Sequence, residues 1–233
     1  MKKCFLFLAL SLGLVLQGFT QVKIGTKLGA TFANLYTSAS GESLEGSGQR
    51  LSAYGGITVD LPVTNKLTFQ PGLLLVGKGS KSEEQQSVST GNNKLTVTAK
   101  SKIAPLYLEL PLNFLYNFQL GKAKFAAGFG PYYAIGLGGK YEYLITETRE
   151  GPGYSGSTGS AGRGKITYGS EGNINRHDVG INGSLSYLFN ENLGIQTGYG
   201  LGLTRVYPDR EFNEDTDAKT RNAVFSLGFI FKY

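Results

Sequence analysis

The last nine residues of the chain alternate between two kinds of side chain. Serine, glycine and lysine take most of the even positions from 226 to 232, and every odd position is apolar or aromatic: Phe225, Leu227, Phe229, Phe231 and Tyr233. Because successive residues of a strand point to opposite faces, this segment has one face suited to lipid and one suited to a more polar interior. Such a segment is typical of a strand that crosses a membrane.

Seven further segments show the same alternation. Together with the end of the chain they lie at 22–32, 51–61, 67–75, 95–118, 124–141, 178–189, 193–203 and 225–233. Hydrocarbon offers no water to satisfy an unpaired edge strand, so membrane strands must close into a ring. The sequence therefore predicts an all-β fold, an eight-stranded antiparallel up-and-down transmembrane β-barrel whose apolar side chains lie outside.

A soluble β-sandwich is the alternative, because its strands also alternate. A sandwich would leave the bulky set uncovered, since the opposite set consists largely of small, polar and charged residues. Aromatic residues also gather near the predicted strand ends, as in the interfacial girdles of membrane barrels. They are Phe69, Tyr116, Phe118, Phe125, Tyr187, Phe189 and Tyr233 at one end, and Tyr36, Tyr141, Tyr143 and Tyr207 at the other. Both features favour the barrel.

The connections between the predicted strands alternate in length. Long polar loops at 37–49, 79–94, 144–175 and 208–220 follow the first, third, fifth and seventh strands, and short turns follow the others. In outer-membrane barrels the short turns face the periplasm and the long loops face outward. The pattern predicts an outer-membrane location with both termini periplasmic and four extracellular loops.

The first residues have the pattern of a secretory signal peptide. A basic start, Met1-Lys2-Lys3, precedes the short apolar run from Cys4 to Leu16. We expect a signal peptide over residues 1–20, with cleavage between Gly18 and Gln21, and a barrel domain over 21–233. Cleavage would remove the single cysteine, and with it any disulfide or thiolate metal site.

The charge of the chain gives no sign of a nucleic-acid partner. Removal of Lys2 and Lys3 lowers the net charge from +6 to +4, and the basic residues are scattered without a Lys/Arg block. Glycine is more unusual, since 34 of 233 residues is about twice the usual ~7%. Much of this glycine falls on the predicted inner face, where it would leave room beside larger side chains.

Charged residues on the inner face form the candidate site. An eight-stranded barrel is just wide enough to be filled by side chains, and an unpaired charge there is costly. We expect a lumen polar network, of unknown binding role, from Asp60, Lys78, Glu109, Lys124 and Asp178, with Lys140, Glu142, Lys232 and three inward tyrosines (Tyr54, Tyr107 and Tyr132) nearby. A salt-bridged plug is favoured over a conducting pore. A thin water path beside the tyrosines is the alternative that the sequence leaves undecided.

The sequence indicates no catalytic residues, metal or cofactor. The single histidine, His177, precedes Asp178, and neighbours in a strand point to opposite faces, so they cannot form a dyad there. The acidic residues between 209 and 217 lack the Asp-x-Asp-x-Asp-Gly order of a calcium loop. We expect a surface histidine, a solvated loop and a protein that is not an enzyme.

The stretch Ala104-Pro-Leu-Tyr-Leu-Glu-Leu-Pro-Leu resembles the Tyr-Leu-Glu-Ile-Pro-Leu motif of the PorT-like outer-membrane β-barrel family, with Leu110 in place of isoleucine. The opening from Val22, the Gly128–Tyr133 strand and the aromatic end are also similar to that family. The resemblance implies an eight-stranded barrel; some members are linked to protein secretion, and no catalytic residue is carried over. Within the motif we expect Glu109 to face the lumen and to pair with Lys78 or Lys124.

Three functions remain open at this point. The first is a non-enzymatic barrel that presents four loops and stabilises the envelope or docks an envelope protein. The second is an accessory subunit of a secretion or assembly complex, and the third is a narrow channel for small solutes. In each case the barrel would contact outer-membrane lipid. We also expect an assembly signal for the barrel-assembly machinery at Phe229, Phe231 and Tyr233.

Overall fold

The computed structural model describes residues 22–39, 42–44, 48–169, 172, 174–208 and 219–233. The predicted signal peptide and most of the 208–220 loop lie outside these described residues. Within them, eleven strands form one antiparallel sheet. The strands are β1 Lys23–Ala39, β2 Glu42–Leu44, β3 Arg50–Pro62, β4 Leu67–Gly77, β5 Ser80–Thr90, β6 Asn93–Leu120, β7 Ala123–Gly151, β8 Tyr154–Lys165, β9 His177–Leu188, β10 Leu193–Gly202 and β11 Lys219–Lys232. No helix in this part of the chain is long and apolar enough to cross a membrane.

Eight of the strands close into a ring. The order is β1-β3-β4-β6-β7-β9-β10-β11, and β11 returns to pair with β1. The closing pair runs from Gly25 opposite Lys232 to Ser38 opposite Lys219. The predicted eight-stranded barrel is confirmed. One end of the barrel carries the C-terminal residue Tyr233 and the short turns, and we call it the turn end. We call the opposite end the loop end.

The predicted orientation of the two side-chain sets is also correct. On β1, Ile24 is 57% exposed and Leu28 is 50% exposed, whereas Lys27 between them is 4% exposed. The same alternation runs along the other seven barrel strands. The bulky apolar residues therefore surround the barrel, and small or polar residues fill it, which is the reverse of a sandwich.

Glycines inside the barrel make room for tyrosine rings. The Tyr54 ring lies across Gly29 of β1 and Gly228 of β11. A Cβ added at Gly29 would lie 2.2 Å from the Leu227 carbonyl oxygen, and one at Gly228 would lie 2.3 Å from the Leu28 carbonyl oxygen. These two strands therefore approach each other more closely than side chains would allow.

Aromatic rings form a continuous row around part of the turn end. Phe118 stacks on Phe125 of the next strand with ring centroids 5.5 Å apart, and Phe125 contacts Tyr187 at 5.3 Å. The row extends to Tyr116 on one side and Phe189 on the other. This row corresponds to the girdle expected from the sequence, because each of the barrel strands β6, β7 and β9 ends with outward aromatic residues.

Three of the predicted loops contain strands instead. Within 37–49, the short strand β2 pairs with residues 37–39 of β1. Residues 79–94 and 144–175 were expected to be loops, but β5 pairs with residues 93–103 of β6, and β8 pairs with residues 140–151 of β7. Glycines with positive φ, Gly91 at 59° and Gly153 at 77°, form the tight hairpin turns. We call the resulting four-stranded sheet, β5-β6-β7-β8, the extension, because it continues the barrel beyond its loop end.

The two faces of the extension differ in chemistry. The face that continues the inner surface of the barrel carries most of the apolar residues, and we call it the apolar face: Val88, Leu95, Val97, Ile103, Tyr141, Tyr143, Ile145 and Tyr154. The opposite face, the polar face, continues the lipid-facing surface. It carries the Glu83–Lys100 ion pair, with Oε1 and Nζ 2.7 Å apart. This hydrogen bond lowers the pKa of the exposed Glu83 carboxyl group.

Candidate functional site

The lumen near the turn end holds a chain of charged and amide groups. Lys27 Nζ donates to Gln70 Oε1 at 2.6 Å, and Gln70 Nε2 donates to Asp60 Oδ1 at 2.5 Å. Lys232 Nζ binds the second oxygen of Asp60 at 2.6 Å. Each strand supplies one inward residue, so β1, β3, β4 and β11 are tied together across the interior. We call these four residues the turn-end cluster.

A second cluster lies deeper towards the loop end. Lys78 Nζ is 2.7 Å from Glu109 Oε2 and 2.9 Å from Asp178 Oδ2. The side chains of Lys78 and Asp178 are each 2% exposed, and that of Glu109 is 12% exposed. A buried lysine between two carboxylates keeps its charge compensated, which offsets the loss of hydration. We call these three residues the loop-end cluster.

Asp178 is the most connected residue of the loop-end cluster. Besides Lys78, it accepts hydrogen bonds from Asn222 at 3.0 Å, Thr204 at 3.1 Å and Tyr132 at 3.3 Å. The Lys78 ammonium also lies 4.2 Å from the centre of the Tyr132 ring, a cation–π distance. One carboxylate therefore joins side chains from β7 and β11, from Thr204 just beyond β10, and from the end of β4.

The structure divides the predicted lumen network. Lys78, Glu109 and Asp178 lie together, and Asp60 belongs to the separate turn-end cluster. Lys124, expected in the lumen network, does not lie there. Its side chain is 44% exposed, and its Nζ lies 3.7 Å from Glu191 Oε1. Although Lys124 has inward parity, it is the second residue of β7, beside the tight turn that joins β6 to β7, so its side chain reaches water at the rim. Between the two expected partners of Glu109, the structure selects Lys78.

The sequence interpretation missed two members of the turn-end cluster, Lys27 and Gln70, and two residues that donate to Asp178, namely Thr204 and Asn222. The first two stood at inward positions of the alternation and could have been included by parity alone. Thr204 and Asn222 could not, because Thr204 follows the end of β10 and Asn222 precedes the clear apolar alternation of β11. Their proximity to Asp178 depends on the curvature of the sheet.

A cavity of about 80 Å³ separates the two clusters. Lys27, Lys78 and Glu109 lie in its wall, together with glycines and small polar residues of β9 and β10. Three buried polar atoms of its lining have no partner among the described residues, namely Tyr54 Oη, Asn113 Oδ1 and Ser184 Oγ. The cavity can hold several water molecules, and such atoms are the usual partners of buried water.

Described residues between β8 and β9 cover the loop end of the lumen. Ile166 and Ile174 pack with Leu35 and Val206 in a buried apolar cluster above the loop-end cluster. Tyr168 inserts below them against Tyr107, with ring centroids 6.1 Å apart, and donates to the Gly138 carbonyl oxygen at 2.8 Å. Burial raises the pKa of Tyr168 to about 12, so its phenol remains a neutral donor. We call the described residues of this segment, 166–169, 172 and 174–176, the cap.

His177, the histidine considered for catalysis, lies outside the lumen. His177 is exposed, and its Nδ1 hydrogen bonds Tyr133 Oη at 2.7 Å, whereas Asp178 points inward. The acidic residues from 209 to 217 lie outside the described residues. Within the part that is described, no group of three or more His, Cys, Asp or Glu side chains could hold a metal ion.

Comparison with solved structures returns small outer-membrane barrels. Ail of Yersinia pestis has a TM-score of 0.33 at 8% identity, with 90% of this chain and 98% of Ail covered. Neisserial surface protein A gives 0.32 at 15% identity, with 91% and 97% covered. CarO of Acinetobacter baumannii gives 0.34 at 10% identity, with 90% and 97% covered. Similarities this low carry no information about function.

Comparison with protein families is more informative. No curated protein sequence matches the chain significantly. A family model described as "Outer membrane protein beta-barrel domain" matches residues 17–207, which is most of the chain. The matched region includes seven of the eight barrel strands, the whole extension and both lumen carboxylates bound to Lys78. The chain therefore belongs to the family of outer membrane protein β-barrel domains.

Proposed function

We propose that this protein is a non-enzymatic outer-membrane barrel that docks a protein of the cell envelope through its extension. The observation that carries the proposal is the four-stranded sheet β5-β6-β7-β8, which continues beyond the ring. The extension is not needed to close the barrel, because the eight ring strands already pair with one another. A sheet of this size therefore has a role beyond the membrane.

The outer edge of β8 supports this proposal. No described residue pairs with that edge, and residues 154–162 of the strand contain no proline and no charged side chain. Proteins normally protect such an edge with charges, prolines or bulges, because it offers unpaired backbone groups to another strand. A partner could add a strand there by backbone hydrogen bonding.

The apolar face offers side-chain contacts to the same partner. Val88, Tyr143, Ile145 and Tyr154 are all exposed on it. The Tyr143 ring covers Gly162 of β8, where a Cβ would lie 2.4 Å from the ring. An exposed apolar patch beside a free sheet edge is typical of a protein-binding surface. A strand added to β8 would therefore pack its side chains on Tyr143.

The proposed orientation follows from the connections. The turn end has short turns, for example Gly121-Lys122 between β6 and β7, and it also holds the chain terminus. By the rule for bacterial barrels, this end would face the periplasm and the extension would be extracellular. The PorT-like resemblance fits a second form of the proposal, in which the docked partner belongs to a secretion complex.

A narrow channel is the second candidate function, favoured by the cavity between the two lumen clusters. The loop-end cluster, Tyr168 and the apolar cluster of the cap lie in series above that cavity, and a solute would have to displace them all. We therefore rank docking above conduction. A steady current across planar bilayers that contain the pure barrel would reverse this order.

Site-specific photo-crosslinking in cells tests the docking proposal. A photoreactive phenylalanine analogue is placed at Ser157 or Thr158 on the β8 edge, and at Asn65 in a turn as the matched control. We expect one stoichiometric adduct from the two β8 positions and none from position 65. The absence of any adduct from β8, or equal labelling from the turn, would contradict the proposal. Mass spectrometry of the adduct identifies whether the partner is a secretion subunit.

A further inference from the structure

The base of the polar face carries a dense group of basic residues. Two rows cross the strands there: Lys81, Lys102, Glu142 and Arg163 are successive cross-strand partners in the first row, and Ala104, Lys140 and Lys165 are partners in the second. The rows are two residues apart along each strand, so their side chains share one face. We call the five cations Lys81, Lys102, Lys140, Arg163 and Lys165 the basic surface.

Like charges stand directly opposite each other in this surface. Lys81 pairs with Lys102, and Lys140 pairs with Lys165. Directly opposed side chains on neighbouring strands have Cβ atoms about 4.5–5.5 Å apart, and like charges at that distance destabilise a sheet. Among the described residues of the two rows, Glu142 is the only carboxylate, and its Oε2 lies 3.7 Å from Lys102 Nζ. The surface therefore has a strong excess of positive charge, which an anionic ligand would relieve.

Four of the five cations line two depressions, and Arg50 of β3 joins them in one of the two. One, of about 300 Å³, is lined by Arg50, Lys102 and Lys140, and the other, of about 390 Å³, is lined by Lys140, Arg163 and Lys165. Lys140 lies between the two. Each depression presents three cationic side chains and Glu142, an arrangement suited to a ligand with several anionic oxygens.

The height of the basic surface identifies the source of the ligand. Leu106 is exposed on the lipid-facing side of β6, and Ala104 and Lys102 follow it on the same face. At ~3.3 Å per residue, the Lys140 row lies ~7 Å and the Lys102 row ~13 Å beyond Leu106 along the strand. At a strand tilt of ~40°, these distances correspond to heights of ~5 Å and ~10 Å. A headgroup layer occupies about 5–8 Å on each side of the hydrocarbon. The basic surface therefore starts at headgroup depth, on the side of the sheet that faces the surrounding lipid.

We propose that the basic surface binds the phosphate groups of lipid headgroups in the leaflet around the loop end. Lys140 and Lys165 contact the phosphates at headgroup depth. Lys102 and Arg163 contact anionic groups of the same headgroups that lie farther from the hydrocarbon. Bound phosphate separates the opposed lysines and holds the base of the extension against the membrane. This inference needs only the barrel and its register, so it stands or fails independently of partner docking.

The test measures lipid retention by the full-length barrel in mild detergent. Native mass spectrometry counts bound phosphatidic acid, a phosphomonoester lipid, against phosphatidylcholine as the neutral reference. The test variant is Lys140→Gln/Lys165→Gln. The control is Lys66→Gln/Lys122→Gln, which removes the same two charges from exposed turns at the other end. Heat-modifiable mobility on gels verifies that both variants fold, as expected for exposed side chains outside the lumen.

We expect the wild type and the control to retain phosphatidic acid, and the test variant to retain it about 25-fold more weakly, since each of the two lysines near an anionic surface contributes on the order of a fivefold effect. Phosphatidylcholine should bind equally to all three. Equal retention of phosphatidic acid by the test variant and the wild type would overturn the proposal. Displacement of the lipid by inorganic phosphate as readily as by phosphatidic acid vesicles would also overturn it, because the site would then bind the free ion.

Discussion

Lys78 and Asp178 are 100 positions apart in the chain, yet the lysine Nζ lies 2.9 Å from Asp178 Oδ2 inside the barrel. Lys78 directly follows β4 and Asp178 lies at the start of β9, three strands away around the ring. Their contact crosses the lumen, and both residues have further partners there: Glu109 pairs with Lys78, and Asn222 donates to Asp178. Barrel closure therefore determines this pair, and the pair in turn fills the interior that closure creates.

Loss of Asp178 should destabilise the barrel strongly. In Asp178→Ala, Lys78 loses one of its two carboxylates, and Asn222, Thr204 and Tyr132 lose their acceptor. Removal of one partner from a buried ion pair costs about 3–5 kcal/mol. Urea unfolding in detergent measures the change. The control Glu191→Ala breaks the exposed pair with Lys124, and its effect should stay below ~1 kcal/mol. Similar values for both variants would contradict a structural role for the loop-end cluster.

A milder effect is expected for Glu109→Gln. The amide keeps the shape of the side chain but weakens the charge-assisted hydrogen bond to Lys78, which still has Asp178. Hydrogen bonds to charged groups contribute about 1.5–3 kcal/mol, and the neighbouring cavity water can compensate in part. The temperature at which the barrel loses its heat-modifiable mobility on gels should fall. A temperature equal to that of the wild type would contradict the Lys78–Glu109 interaction.

The close approach of β1 and β11 predicts that Gly29 tolerates no side chain. In Gly29→Ala the Cβ would lie 2.2 Å from the Leu227 carbonyl oxygen and 2.8 Å from the Tyr54 ring, and the strand must move. We expect a loss of about 1–3 kcal/mol, as for other overpacked sites. The matched control is Gly183→Ala, where the nearest atom would be 3.9 Å away. Equal unfolding midpoints for the two variants would rule out the steric explanation.

The aromatic end of the chain should act during assembly. We expect Phe229→Ser/Phe231→Ser to leave the chain outside the membrane in cells, because these residues form the predicted assembly signal. The control Phe225→Ser/Leu227→Ser changes two lipid-facing residues of the same strand. Cell fractionation gives the result in cells, and refolding of the pure chains into vesicles separates recognition from stability. Equal defects in vesicles for both variants, without a difference in cells, would argue against a signal.

Alternation alone was sufficient to orient the barrel strands. On β4, Leu73 and Leu75 are exposed, whereas Leu74 and Val76 are buried, as a period of two requires. This pattern is local, because a strand has only two faces and the lipid and the lumen demand different side chains. The number of barrel strands and the outward position of the apolar set could therefore be read from the chain.

The extension could not be read in the same way. Residues 80–90 and 154–165 have water on at least one side, so selection for alternating hydrophobicity is weak, and their serines, glycines and charges are equally common in loops. Pairing with β6 and β7 makes these residues strands, and that pairing is a non-local property. Neither the Gly91 turn nor its hairpin partners were predicted from the sequence, since residues 79–94 were expected to form one long loop.

The amino-acid sequence alone determined which face of each barrel strand contacts lipid, because a strand's facing depends on the alternation of residues two positions apart. What the folded chain alone decided is which inward charges meet. Lys78 and Lys124 have the same parity, yet one lies between two carboxylates and the other reaches water at the rim. The height of a residue in the barrel and the curvature of the sheet separate them, and both arise only when the ring closes.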